Sequence, residues 1–310
     1  MTLTVLFAAG DAAFAEYRAP LAQAFAQHDL QIDLVTEAAP EAVDYIIYSP
    51  ASTLRDFTPY TRCKAVLNLW AGVEKIVGNP TLTQPLARMV DPALTRGMVE
   101  YVCGHVLRYH LGMDAYINAA PGAWAQDEPP LAPERVVGIL GLGELGRACA
   151  SALAALGFAV EGWSSRPKSV QDVTCHHGED GFMTLLRRAD ILVTLLPHTP
   201  QTENILNAAA FAQMRAGARI INPGRGALID DEALLVALNT GLIAQATLDV
   251  FRVEPLPAEH PFWAHPNVTI TPHIAATTRA KSASQVIAEN IARVEAGAEL
   301  LHRVDPARGY

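Results

Sequence analysis

The chain has 310 residues, of which 50% are hydrophobic and 18% charged, and its 32 acidic and 23 basic side chains leave a formal charge of −9. At about 100–200 residues per domain this is enough for two packed domains, which excludes a disulfide-stapled miniprotein and a disordered chain. The acidic balance, without any Lys/Arg run, argues against a nucleic-acid partner, and no apolar run reaches the ~18 residues of a membrane span.

An apolar run over residues 3–8 predicts a strand, the helical spacing of Ala15, Leu21 and Phe25 follows it, and residues 32–35 predict a second strand. Residues 45–48 and 65–69 continue the series across a connector at 50–59, and the second of these strands runs into the turn Trp70-Ala71-Gly72. Such alternation calls for a parallel sheet covered on both faces. Val99, Val102, Val106, Leu107 and Leu111 share a helical period, which predicts one long helix over 96–113. The loop 119–133, with Pro121, Pro129, Pro130 and Pro133, then marks a boundary.

From Arg135 the alternation restarts. Strands are expected at 136–140, 159–163, 191–196, 219–222, 244–250 and 268–270, and six strands with intervening helices suit a dinucleotide-binding sheet. A last amphipathic helix over 279–298 is expected to pack back on the first domain. The expected fold is α/β, with two Rossmann-like doubly wound parallel sheets and a cleft between them. Residues 1–95 and 278–310 would form a flavodoxin-like substrate domain, and residues 96–277 the dinucleotide-binding domain. Cys63, Cys103, Cys149 and Cys175 are too scattered for a disulfide framework or a zinc site. With no basic N-terminal region, this predicts a cytoplasmic protein with reduced thiols and no metal.

The strongest local motif places Gly141, Gly143 and Gly146 in G-x-G-x-x-G spacing directly after a strand, with Glu144 and Leu145 opening a helix. Gly141 would permit the tight turn, Gly143 the approach of a pyrophosphate and Gly146 close helix–sheet packing. NAD enzymes add a carboxylate at the end of the second strand. Glu161 lies inside that strand, and the tip reads Ser164-Ser165-Arg166, with Lys168 beyond. Hydroxyls and cations suit a 2′-phosphate, so NADP(H) is expected, with NAD(H) at lower affinity. An ordinary solvated loop would use the same residues.

Three segments carry a wider resemblance: Leu195-Leu196-Pro197-His198-Thr199-Pro200-Gln201-Thr202, Ile220-Ile221-Asn222-Pro223-Gly224-Arg225-Gly226, and Thr271-Pro272-His273-Ile274-Ala275-Ala276. In order and spacing the chain resembles the D-isomer-specific 2-hydroxyacid dehydrogenases over essentially its whole length. The resemblance implies that His273 is the acid/base and that Glu254 hydrogen-bonds and orients it. It also implies that Arg225, between two glycines that give its backbone room near the nicotinamide, clamps the substrate carboxylate and polarises the carbonyl. Asp249 resembles an aspartate close to the nicotinamide, with loop capping as its other reading. Leu196, Pro197 and Thr202 resemble the segment beneath the adenosine part of the cofactor, though a plain connector would look the same. Ala71, Gly72 and Val73 resemble the turn whose N–H groups receive the substrate carboxylate, and Trp70 either walls that pocket or packs in a core.

The implied reaction is hydride transfer to small 2-oxo acids, glyoxylate to glycolate or hydroxypyruvate to D-glycerate. Two alternatives remain: an NAD-dependent dehydrogenase of the D-lactate or phosphoglycerate type, and a non-catalytic nucleotide-sensing scaffold. The 96–113 helix, whose apolar face is expected to lack an intrachain partner, and the loop carrying Trp124 predict a homodimer.

Overall fold

The apolar run near the N-terminus builds β1 (Leu3–Ala8), followed by α1 (Asp11–Gln27), β2 (Ile32–Val35), β3 (Tyr45–Tyr48), β4 (Ala65–Asn68) and the two-residue β5 (Leu86–Ala87). The computed structural model describes residues 2–309 and divides into two units, one running to Leu94 and resuming at Thr277, the other Thr95–Ala276. In the first unit the strands are all parallel, in the order β2-β1-β3-β4-β5. Every residue of β3 and β4 is buried, because helices and loops cover both faces of the sheet. Val5, Phe7, Tyr45, Ile47 and Leu67 pack with Leu21 and Phe25 of α1 on one face. Leu6, Ile46, Tyr48 and Val66 pack with Phe57, Val73 and Ile76 on the other.

The long helix α2 (Pro92–His110) starts before the expected residue 96. Asp91 Oδ1 accepts the N–H groups of Ala93 and Leu94, at 2.8 and 3.1 Å, and Pro92 has no N–H to satisfy. Gly112, at φ 63°, ends it and opens the short α3 (Met113–Ile117). Contrary to expectation, the apolar face of α2 has a partner within its own unit. Val102, Val106 and Tyr109 are buried against Val137, Ile139 and Leu153. The apolar residues left exposed lie further on, in α3 and the loop after it, with Ile117 70% and Trp124 89% exposed.

The second unit continues with β6 (Val136–Leu140), α4 (Glu144–Ala155), β7 (Ala159–Ser164), β8 (Thr174–His177), α5 (Gly178–Arg188) and β9 (Ile191–Thr194). Then follow α6 (Ala208–Gln213), β10 (Ala218–Asn222), α7 (Asp231–Asn239), β11 (Ile243–Leu248) and β12 (Val268–Ile270). Its sheet has seven strands rather than six, parallel throughout, in the order β12-β11-β10-β9-β6-β7-β8. The added strand, β8, is a polar edge segment, Thr-Cys-His-His, none of it fully buried, so it has no apolar run to announce it. With it the sheet is doubly wound, and the winding reverses between β6 and β9. Open α/β sheets bind ligands at the carboxyl ends of such strands. The chain then closes with α8 (Ala280–Glu295), whose Ala283, Ile287 and Ile291 are buried in the same core as α1.

Candidate active site

The glycine loop between β6 and α4 is shaped by contacts that no side chain could share. Gly141 has φ +104°, and a Cβ there would lie 2.6 Å from the carbonyl oxygen of Leu195. A Cβ on Gly146 would lie 1.7 Å from the oxygen of Gly141, so α4 packs against the turn only through glycine. A Cβ on Gly143 would meet nothing within 4 Å. That open space, in front of the first N–H groups of α4, is room for an anion such as a pyrophosphate, and the loop therefore fits a dinucleotide. Glu144, at the start of the helix, pairs with Arg147.

At the tip of β7 the side chains divide in role. Ser164 is buried, and its hydroxyl donates to the carbonyl of Arg166 at 2.7 Å, which shapes the turn. Ser165, Arg166 and Lys168 are exposed. Lys168 Nζ donates to Leu142 O at 2.8 Å, tying this turn to the glycine loop. Glu161 does lie within the strand. It is buried, with Arg188 Nε at 2.6 Å and His176 Nε2 at 2.7 Å, so its carboxylate is already occupied. After β9, Thr202 Oγ1 donates to Pro197 O at 2.7 Å and accepts from Thr199 N–H at 2.8 Å, which braces the segment that follows Leu196.

The three residues expected to carry the chemistry follow β10, β11 and β12. His273 stands just beyond β12 with its backbone at φ 55°, a region that a residue other than glycine seldom occupies. Its N–H donates to Asp249 O at 2.8 Å. Its Nδ1 donates to Glu254 Oε2, also at 2.8 Å, while Glu254 Oε1 accepts the N–H of Phe251 at 2.9 Å. The pair is therefore anchored, and the imidazole, 53% exposed, keeps Nε2 for a substrate oxygen.

Arg225 leaves the end of β10 half-buried, and Asn222 holds its loop: Nδ2 donates to Arg225 O at 3.0 Å, and Oδ1 accepts Gly224 N–H at 3.1 Å. The flanking glycines answer to close approaches of the protein's own backbone. A Cβ on Gly224 would sit 2.7 Å from Thr194 O, and one on Gly226 would sit 2.0 Å from the carbonyl carbon of Phe251.

Asp249 is fully buried, and every contact of its carboxylate supports the His273 segment. Oδ1 accepts Ile274 N–H at 2.9 Å and the Thr271 hydroxyl at 2.6 Å, and Oδ2 accepts Ala275 N–H at 2.9 Å. Because Thr271 gives its only proton to Asp249, Tyr101 of α2 must donate to Thr271 Oγ1, across 2.7 Å. Burial pushes the Tyr101 hydroxyl well above its ordinary pKa, so it remains a donor. The pairing of Tyr101 with Thr271 is a support that sequence reasoning passes over, since 170 positions separate them and Tyr101 belongs to no motif.

In the first unit, Trp70 is 44% exposed at the carboxyl end of β4, with Lys75 Nζ 5.9 Å from its ring centroid. The turn Ala71-Gly72-Val73 follows it. Among the described residues, no group of His, Cys, Asp and Glu side chains is placed to hold a metal, and no helix is long and apolar enough to cross a membrane.

Comparison with known proteins bears directly on this arrangement. Residues 106–275 match the family model described as D-isomer specific 2-hydroxyacid dehydrogenase, NAD binding domain. Glyoxylate/hydroxypyruvate reductase A of Yersinia enterocolitica is 44% identical over 255 residues, which span 80% of this chain and 82% of that one. A D-isomer specific 2-hydroxyacid dehydrogenase from Xanthobacter autotrophicus, solved in complex with NADPH and MES, superposes with a TM-score of 0.92 at 38% identity over 99% of both chains. An NADPH-dependent glyoxylate/hydroxypyruvate reductase from Sinorhizobium meliloti, in complex with NADP and sulfate, superposes with a TM-score of 0.87 at 34% identity, covering 100% of this chain and 99% of that one.

Proposed function

This chain belongs to the D-isomer-specific 2-hydroxyacid dehydrogenase family, and from that premise we propose that it reduces glyoxylate to glycolate and hydroxypyruvate to D-glycerate with NADPH. The observation that carries the reading is the His273–Glu254 pair, 2.8 Å apart, with the His273 segment braced by a buried aspartate, in the same unit as the dinucleotide loop. NADPH, when bound, supplies the hydride for the carbonyl carbon. Gly141, Gly143, Glu144, Leu145 and Gly146 would hold its pyrophosphate, and Leu196, Pro197 and Thr202 would border its adenosine. His273 Nε2 delivers the proton to the carbonyl oxygen, with Glu254 fixing the ring plane. Arg225 clamps the carboxylate and polarises the carbonyl. The N–H groups of Ala71 and Gly72, with Trp70 beside them, would receive a substrate carboxylate. Asp249 acts by holding the His273 segment.

The test is an assay with NADPH and with NADH across a panel of 2-oxo acids. Activity confined to NADH and D-lactate-type substrates would move the chain to the NAD-dependent branch, and no activity with any 2-oxo acid would leave the scaffold reading.

Cofactor choice falls to Ser165, Arg166 and Lys168, around the turn that Ser164 shapes. Arg166→Ala removes a charge-assisted contact to a 2′-phosphate, of about 1.5–3 kcal/mol, so NADPH affinity is expected to fall by about tenfold to a hundredfold. NADH affinity should stay unchanged. Fluorescence titration of both cofactors checks this, and equal loss for the two would remove Arg166 from phosphate recognition.

We also infer a homodimer built on α3 and the loop after it. Leu111, Met113, Tyr116, Ile117, Trp124 and Leu131 expose apolar surface there that a twofold partner would cover. Light scattering at micromolar concentration is expected to give twice the chain mass, and Trp124→Asp with Ile117→Asp to give a monomer. A wild-type monomer would contradict the assignment. The cytoplasm is the proposed compartment, in keeping with four free thiols.

A further inference from the structure

The last residue of β4, Asn68, is 1% exposed and projects its amide beneath the turn that follows. Its Nδ2 donates to Trp70 O at 2.8 Å and to Gly72 O at 3.0 Å. Trp70 O also accepts Met89 N–H at 3.0 Å, so that carbonyl is held from two sides. Across a trans peptide, the carbonyl of one residue and the N–H of the next point in opposite directions. With the carbonyls of Trp70 and Gly72 drawn onto Asn68, the N–H groups of Ala71 and Val73 are turned away from it. Among the described residues, the N–H groups of Ala71, Gly72 and Val73 donate to no acceptor in the protein. Successive unspent N–H groups at the carboxyl end of a strand form a concavity for an anion.

Asn68 Oδ1 is buried without a hydrogen-bond partner. A buried acceptor left unpaired works against stability, so the amide is not there to satisfy the core. Its visible work is done by the NH2 group alone.

We propose that Asn68 is a positioning residue that sets the selectivity of the 70–73 turn for the carboxylate of the 2-oxo acid, by fixing which way its peptide groups face. The proposal rests on the reading that this turn receives the substrate carboxylate. Asn68 touches no substrate itself.

Asn68→Leu keeps roughly the side-chain volume, removes both donors and removes the unpaired acceptor. The Michaelis constant for glyoxylate and for hydroxypyruvate is expected to rise about tenfold or more, while kcat changes less than about threefold. The NADPH dissociation constant and the thermal midpoint should stay at wild-type values. Asn68→Ser, measured in the same way, serves if the leucine variant does not fold. A loss of thermal stability that alters kcat, the Michaelis constant and NADPH affinity together would overturn the proposal, because Asn68 would then be structural. Ala71→Pro, which deletes one N–H of the turn, separates the proposal from the reading beneath it. If Ala71→Pro raises the Michaelis constant and Asn68→Leu does not, Asn68 is dispensable and the turn still binds carboxylate. If Ala71→Pro has no effect, the turn does not bind the carboxylate and the proposal falls with that reading.

Discussion

His273→Gln is expected to lower the rate of 2-oxo acid reduction by about two to four orders of magnitude, while NADPH affinity changes less than about threefold. Glutamine keeps a polar group near the position of the ring but has no proton to give near neutral pH, so the carbonyl oxygen must develop charge without a donor. The cofactor loop is untouched, because it lies between β6 and α4 and takes its shape from Gly141 and Gly146. Single-turnover kinetics with prebound NADPH checks this directly, since it reads the chemical step apart from product release. Near-wild-type turnover would reject the acid/base role. Glu254→Gln should have a smaller effect of the same kind, because the ring would lose the carboxylate that accepts from Nδ1 at 2.8 Å. The two effects are not additive, because the residues act as one unit.

Arg225→Ala should reduce kcat/KM for every 2-oxo acid by about two to four orders of magnitude. A charge-assisted hydrogen bond is worth about 1.5–3 kcal/mol, and a forked guanidinium makes two of them to a carboxylate. Both the Michaelis constant and turnover should suffer, because the same group binds the carboxylate and polarises the carbonyl. Arg225→Lys retains the charge without the fork and should recover only part of the loss. Steady-state kinetics on glyoxylate and hydroxypyruvate, with a thermal melt, decides the matter. If only the melting temperature falls, Arg225 is structural. The melt is the necessary control, because Arg225 Nη1 also donates to Gly224 O at 2.7 Å, within the loop that Asn222 and the two glycines shape.

Glycine requirements illustrate how local pattern and tertiary packing divide the explanation. The G-x-G-x-x-G spacing after an apolar strand is legible in the chain, because turn geometry and helix initiation are local events. Why Gly226 follows Arg225 is not legible there, since the atom it avoids belongs to Phe251, on a segment 25 residues away.

Two other expectations failed for related reasons. The six-strand count overlooked β8, because an edge strand with one covered face needs no apolar run. The apolar stripe of α2 signals only that something covers it, and the cover proves to be β6 and α4 of its own unit rather than a second subunit.

The sequence by itself determined the alternating architecture and the dinucleotide loop and singled out Arg225, Glu254 and His273 as candidates, because buried strands, tight turns and motifs are written in short stretches of neighbouring residues. Tertiary structure alone decided what holds those groups in place. The brace on His273 joins Tyr101, Thr271 and Asp249, and the amide of Asn68 fixes the peptides of a turn. Polar partners of this kind are chosen by distance and direction in space. A single buried hydroxyl or amide has no period or motif by which its partner can be read along the chain.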